Sequence, residues 1–188
     1  MCIRDSLWAT GADVVKLVGM GQRLADCAPV LHLLAGATRP TIAIAMGEHG
    51  LLTRVLALRY PHALLSFAAP DPSGPAEGTA PGQVSVSAML DAYRVRTITE
   101  RTRLVGLLAL DANTSPLLAE GNRWLARRGL DAVLVPLQPA PGENGPAAAK
   151  ALHAVAPFAA MLDDPASAEL IDVLGWLAER WQGEAFHG

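Results

Sequence analysis

Lysine is almost missing from this chain. Of its 15 basic residues only Lys16 and Lys150 are lysines, and the rest are arginines. Cysteine is nearly as scarce. Cys2 and Cys27 offer neither a disulfide framework nor a metal-ligand spacing, a usage that fits the reducing cytosol. The five histidines, His32, His49, His62, His153 and His187, form no HxH or HExxH pattern, which argues against a metal site. No apolar run reaches the roughly 18 residues that span a bilayer, and no apolar core follows Arg4 as a signal peptide requires. A net charge of −3 lacks the basic excess of a nucleic-acid binder. That small charge with 51% hydrophobic content excludes a disordered chain. The exclusions leave a soluble, cytoplasmic α/β or α protein, its 188 residues suiting one domain or two small ones.

What is present is a rhythm of strands and helices. Residues 13–18 form a β-branched run, after which Asp26 offers an N-cap and Pro29 falls in a first helical turn. Cys27, Val30, Leu31 and Leu34 follow at helical spacing, with Gly36 at the end. A second apolar run covers 41–46 and a helical stretch carries Leu51, Leu52, Val55 and Leu58; a third strand-like run covers 63–69. The loop from Pro70 reaches Gly82, and Ser85 caps a short helix through Ala92. Continuous apolar strands alternating with helices are the signature of parallel βα units. Residues 94–103 are polar and basic and read as a linker. A second series then begins, with a strand at 104–110, a helix at 116–128 and a strand at 132–137. Beyond a Pro/Gly loop, 147–162 reads as a helix broken at Pro157, and an amphipathic helix starting at Asp164-Pro165 carries Leu170, Leu174, Leu177 and Trp181 with no strand after it. Residues 1–6, MCIRDS, resemble a translated sequencing-adapter leader and are set aside from the fold; the chain is then expected to be a fragment whose natural start lies upstream.

Lys16 is the residue this composition singles out. Strand alternation puts it on the face shared by Val14 and Val18. A buried ammonium needs a partner or loses its proton, and a neutral amine is what imine formation with a ketone requires. A strand-end lysine with a buried stem and a solvated head satisfies the same pattern. Gly19-Met20-Gly21 after a strand hints at a dinucleotide loop, but Leu24 stands where the third glycine belongs. Arg54, on the helix after the second strand, can clamp a carboxylate or sit solvated on the surface. The long loop presents Thr79 and Gln83, which can hydrogen-bond hydroxyls of a ligand or belong to an ordinary connection. His49 is the one histidine that follows a strand's C-terminal end.

Asp13-Val14-Val15-Lys16-Leu17 with Met20 and Gln22, then Ile44-Ala45-Met46-Gly47 with Arg54, then Leu65-Ser66-Phe67, then Ala80-Pro81-Gly82-Gln83, together resemble the last three βα units of type I 3-dehydroquinate dehydratase. The resemblance covers residues 7–93. It implies part of an eight-stranded (β/α) barrel and a lyase of the shikimate pathway that needs no metal or redox cofactor. Lys16 would form the Schiff base with 3-dehydroquinate, Arg54 would hold the carboxylate, Gln83 and Thr79 would contact hydroxyls, and Met46 and Phe67 would line the pocket. The imine acidifies the neighbouring C–H, a base removes the proton and water leaves in a syn elimination that yields 3-dehydroshikimate. The family commonly has serine where Thr79 stands and proline where Gly21 stands. Its general-base histidine lies on the strand before the lysine strand and its acidic partner earlier still; no histidine precedes Lys16 here.

Residues 104–188 are similar to the start of a shikimate dehydrogenase substrate-binding domain. Leu104 to Leu110, Ser115-Pro116-Leu117 and Gly129 to Leu137 carry the likeness, although the Ser-x-Ser-Pro signature reads Asn113-Thr114-Ser115-Pro116. Asn113 and Ser115 would be its substrate contacts, and NADP would be bound only by a nucleotide domain beyond Gly188. The expectation is therefore α/β: a partial (β/α)8 TIM barrel at 7–93, a linker at 94–103, and a partial α/β substrate-binding domain at 104–188, as in bifunctional shikimate-pathway enzymes. The isolated chain is expected to be poorly stable and inactive, with 3-dehydroquinate as its small-molecule partner, no nucleic acid and no membrane, and room for a homo-oligomer in the intact protein. The alternatives are a non-catalytic binding or pseudoenzyme module on the same scaffold, and another imine-forming lyase or aldolase.

Overall fold

Two parallel sheets organise the chain in a computed structural model that describes residues 3–71 and 82–184. In the first, β1 (Val15–Met20) runs beside β2 (Thr41–Met46), with Val15 opposite Thr41 and Met20 opposite Met46. In the second, β3 (Arg103–Leu108) lies between β4 (Ala132–Leu137) and β5 (Phe158–Asp163), all parallel. The fold is thus α/β with parallel sheets. No helix among the described residues is long and apolar enough to cross a membrane.

Local chemistry sets the helices. Residues Ile3–Trp8, inside the set-aside leader and just past it, form a short helix α1. A 3-10 turn at Leu24–Asp26 leads into α2 (Cys27–Ala35), and the Asp26 carboxylate accepts from the backbone N–H groups of Gln22 and Arg23 at 2.9 and 3.0 Å. After β2 comes α3 (Leu51–Leu56). In the second unit, Ser115 caps α4 (Pro116–Arg127) by accepting from Leu117 N–H, and Asn144 caps α5 (Gly145–His153) by accepting from Ala147 N–H. Each cap precedes a proline in the first turn, where its missing N–H costs nothing. The last helix, α6 (Ser167–Glu184), lays Leu170, Leu174, Leu177 and Trp181 into the core.

The two units share that core. Helix α3 packs on α2 and β2 and also on β4. The Glu143 carboxylate, just ahead of α5, accepts from Leu24 N–H at 2.8 Å and Ala25 N–H at 2.9 Å, and so caps the helical segment of the other unit. Asn113 Nδ2 donates to Glu48 O at 2.7 Å, His49 Nδ1 lies 3.2 Å from Gln138 O, and Arg59 donates to Thr99 O and Thr102 O. Fully buried Asn122 donates to Ala92 O and Leu134 O and accepts from Leu134 N–H. The polar stretch 94–103 is itself docked: Val95, Ile98 and Thr102 are buried, and Thr102 donates to Asp131 Oδ1 at 2.7 Å.

Two sequence expectations give way. The run 63–69 is no strand: it pairs only at its ends, Ala63 with Thr41 and Ala69 with Ser85. Leu64 and Leu65 between them stay exposed, so the pattern marks an extended segment without a ladder. The helix expected over 147–162 stops at His153, and residues Phe158–Asp163 form β5 on the open side of β3. Pro157 drives the preceding residue out of the helical region, and a short apolar run has no periodicity that separates strand from helix. A strand therefore does follow the second helix of this unit. Of the two readings left open for Lys16, the solvated one is observed: its strand face is open, with Val14, Val18 and Met20 all exposed, as is Lys16 itself.

Candidate active site

The even-numbered positions of β1 and β2 point to one face, which sets Lys16 and Val18 alongside Ile44 and Met46. Above this face is a cavity of about 140 Å³ lined by Lys16, Val18, Ile44, Met46, Arg54, Phe67 and Gln83. Separate segments of the chain thus converge on it.

Arg54 reaches the cavity because the turn after β2 is unusually tight. Gly47 takes φ 92°, and at Gly50 a Cβ would stand 2.3 Å from Ala45 O, so only glycine lets α3 start there. Thr53 then locks the helix to the strand: its hydroxyl donates to Gly50 O at 2.8 Å and accepts from Ala45 N–H at 3.0 Å. The next residue, Arg54, is only 2% exposed. Burial pushes its guanidinium below the usual range, a desolvation cost that a bound carboxylate would offset. Ser66 Oγ donates to Arg54 O at 2.8 Å, which ties the Phe67 segment to α3. The Lys16 Nζ lies 4.8 Å from the centroid of the Phe67 ring.

Gln83 is set by the glycine before it. Gly82 takes φ 70°, and a Cβ there would stand 2.0 Å from Gly47 O. The backbone of one loop rests on the backbone of the other, and Gln83 follows at the cavity rim. Gln83 also borders a second cavity, of about 400 Å³, between the two units, with Glu48, Asp111, Asn113 and Gln138.

Of the residues singled out from sequence, Lys16, Met46, Arg54, Phe67 and Gln83 therefore share one cavity. Thr79 lies outside the described residues. Asn113 and Ser115 are elsewhere: Asn113 bonds Glu48 O across the seam and Ser115 caps α4. His49 faces the seam, with Nε2 3.3 Å from Glu48 Oε1, and does not line the Lys16 cavity. Val18 and Ile44 complete the walls; each is two positions from a residue already suspected, so strand alternation was the available signal. Gly19 and Met20 lie inside β1 rather than in a turn, and Leu24 is buried, so no dinucleotide cradle forms there. No group of three or more metal-ligating side chains occurs among the described residues.

The profile of the family described as Type I 3-dehydroquinase matches residues 3–100. A curated Arabidopsis thaliana protein, described as a bifunctional 3-dehydroquinate dehydratase/shikimate dehydrogenase of the chloroplast, is 36% identical over 99 residues, 53% of this chain and 16% of that protein. A solved structure of dehydroquinate dehydratase and shikimate dehydrogenase from S. pombe is similar at 24% identity and a TM-score of 0.36, covering 71% of this chain and 24% of that one. The chain thus spans under a quarter of the length of either relative.

Proposed function

The chain belongs to the type I 3-dehydroquinase family, and we propose that residues 7–93 carry the imine-forming and substrate-holding part of its dehydratase site. Lys16 attacks the ketone of 3-dehydroquinate; a C–N bond forms, and the carbinolamine loses water to leave a protonated imine. The iminium draws electrons from the adjacent carbon, whose proton passes to a base; the resulting enamine expels the hydroxyl one carbon further as water, protonated by the conjugate acid of that base. Hydrolysis of the imine returns Lys16 and frees 3-dehydroshikimate. Arg54 holds the carboxylate through paired N–H donors, Gln83 and Thr79 meet the hydroxyls, and Met46 and Phe67 wall the ring. The chemistry calls on no cofactor. The observation that carries this reading is the single cavity that gathers Lys16, Arg54, Met46, Phe67 and Gln83.

No histidine, aspartate or glutamate is among the described residues lining that cavity. We therefore propose that the 188-residue polypeptide condenses with dehydroquinate without turning it over, the base belonging to a segment outside these residues. Borohydride added to a mixture of protein and dehydroquinate should raise the intact mass by one reduced adduct, with no dehydroshikimate accumulating in its absence. A protein that binds dehydroquinate yet gives no adduct supports the competing reading, a non-catalytic binding module; normal turnover contradicts the missing base.

Residues 104–188 enter this proposal as the beginning of a shikimate dehydrogenase-like substrate domain, with 94–103 as the connection. The bifunctional description of the Arabidopsis relative favours that reading. Asn113 and Ser115 are its ligand-binding candidates, and NADP belongs to it only through a nucleotide domain that these residues do not form. Shikimate titrated into isotope-labelled protein should shift the Asn113 and Ser115 amide signals; unmoved signals contradict it.

A further inference from the structure

Asn113 belongs to the second unit, yet its side chain ends on the turn that builds the Lys16 cavity. Its backbone is held from two sides: the N–H donates to Gln138 Oε1 at 3.0 Å, and the carbonyl accepts from the Tyr93 hydroxyl at 2.9 Å. Gln138 and Tyr93 are both buried, so the residue stands on fixed supports. From there Nδ2 donates to Glu48 O at 2.7 Å. Glu48 opens the 3-10 turn Glu48–Gly50 that leads from β2 into α3. Three carbonyls of this turn are taken: Gly47 O by Gly50 N–H, His49 O by the Cys27 thiol and Glu48 O by Asn113. Of these three bonds the last crosses the seam between the units.

The same turn carries Gly82. A Cβ on Gly82 would stand 2.0 Å from Gly47 O and 2.9 Å from Glu48 N. Glu48 is therefore packed at its amide by the loop that leads into Gln83, and held at its carbonyl by Asn113. Gln83 lines the Lys16 cavity and also the cavity that Glu48, Asn113 and Gln138 border between the units. Arg54 has its own anchor, because Thr53 ties α3 to Ala45 N–H and Gly50 O. Groups that touch a ligand keep their geometry only when the residues behind them are fixed. We propose that Asn113 is a positioning residue for the dehydratase site: by fixing the Glu48 peptide it sets Gly82, and with it Gln83, at the rim of the Lys16 cavity. This role rests on the dehydratase reading of that cavity. The bond to Glu48 uses one of the two Nδ2 hydrogens and leaves Oδ1, so the ligand contact proposed for Asn113 in its own unit is not displaced.

Asn113→Ala removes the donor; Asn113→Asp keeps the shape, replaces the donor by an acceptor, and serves if the first variant does not fold. In ligand-free, ¹⁵N-labelled full-length protein the Gln83 backbone and side-chain amide signals should move in either variant. They should stay in place in Glu143→Gln, which alters a different contact across the seam. Borohydride trapping of dehydroquinate should need about two- to tenfold more ligand for half-saturation, the range of one net hydrogen bond. The plateau should be unchanged, because Lys16 is untouched. The ketone 3-oxocyclohexanecarboxylate keeps the carboxylate and lacks the hydroxyls, and its half-saturation should not move. In a Gln83→Ala background, Asn113→Ala should add no further loss for dehydroquinate. Unmoved Gln83 signals, unchanged half-saturation for dehydroquinate, an equal loss for the hydroxyl-free keto acid, or additive losses in the double variant would each overturn the proposal. Wild-type protein that gives no adduct overturns the dehydratase reading itself, whereas the Gln83 signals, read without ligand, decide on Asn113 either way.

Discussion

The ammonium nitrogen of Lys16 lies 4.8 Å from the centroid of the Phe67 ring, although the two residues come from segments that the turn, α3 and an extended stretch separate. The pair fixes the reach of an otherwise exposed lysine. A cation over an aromatic face at an exposed site is worth about 0.5–1 kcal/mol. Ammonium and protonated imine carry the same charge, so the ring favours the location of the nitrogen rather than one side of the condensation. Phe67→Leu keeps the bulk and removes the π face. The yield of borohydride-trapped imine at sub-saturating dehydroquinate should fall about two- to fivefold, by a similar factor at each pH tested. An unchanged yield means the ring does not position the lysine.

Arg54 is predicted to act on the carboxylate alone. Replacing its fork by a point charge in Arg54→Lys removes bidentate recognition and should weaken dehydroquinate binding about tenfold or more, since a hydrogen bond to a charged group is worth about 1.5–3 kcal/mol. Trapping of cyclohexanone, a ketone with no carboxylate, should be unaffected. If both ketones suffer equally, Arg54 serves the fold and not the ligand.

Gly82 and Gly129 have nearly the same backbone angle, φ 70° and 65°, in different surroundings. A Cβ at Gly82 would stand 2.0 Å from Gly47 O, whereas nothing lies within 4 Å of one at Gly129. Gly129→Ala should therefore cost only the left-handed penalty, about 1–2 kcal/mol. Gly82→Ala must also push the two loop backbones away from each other, and should cost more and displace Gln83. Urea midpoints of the two variants decide this, together with dehydroquinate affinity, which only Gly82→Ala should lower.

Glu143 gives the molecule an acid-sensitive joint. Burial raises the pKa of its carboxyl, but the backbone N–H groups of Ala140, Ala25 and Leu24, with Arg23 nearby, outweigh that and hold it below the usual carboxylate range. A carboxyl depressed by folding adds stability that is present above its unfolded pKa, roughly 4.3, and lost as pH falls through the lower folded value. Glu143→Gln replaces one acceptor oxygen by a donor. It should cost about 1 kcal/mol at neutral pH, the scale of a lost helix cap, and flatten the loss of stability below about pH 4.5. Equal acid sensitivity in both proteins would contradict this role.

Much of this architecture was legible in advance. The β-branched runs at β1 and β2 and the apolar strands β3 and β4 announced themselves, and α2, α4 and α6 followed from helical spacing and caps. Residues Phe158–Asp163 did not, because Phe-Ala-Ala-Met-Leu-Asp carries no period of its own and becomes a strand only where β3 offers an edge. The lining of the candidate cavity was legible where residues are rare: a lone strand lysine, an arginine after a glycine turn, and a glycine–glutamine pair. The openness of the Lys16 face was not, since burial depends on what packs above a strand. Nor was Glu143 on Leu24, a bond between residues 119 positions apart, which no local pattern encodes.

The scarcity of lysine makes the central claim easy to test. With only Lys16 and Lys150 in the chain, peptide mapping of protein reduced with borohydride in the presence of dehydroquinate has two side-chain amines to choose between. Lys150 is an exposed residue of α5 and serves as the internal reference. The account predicts the reduced adduct on Lys16, saturable with dehydroquinate and lost in Lys16→Arg, with Lys150 unmodified. Adduct spread evenly over both lysines, or none on Lys16 at saturating substrate, would contradict it.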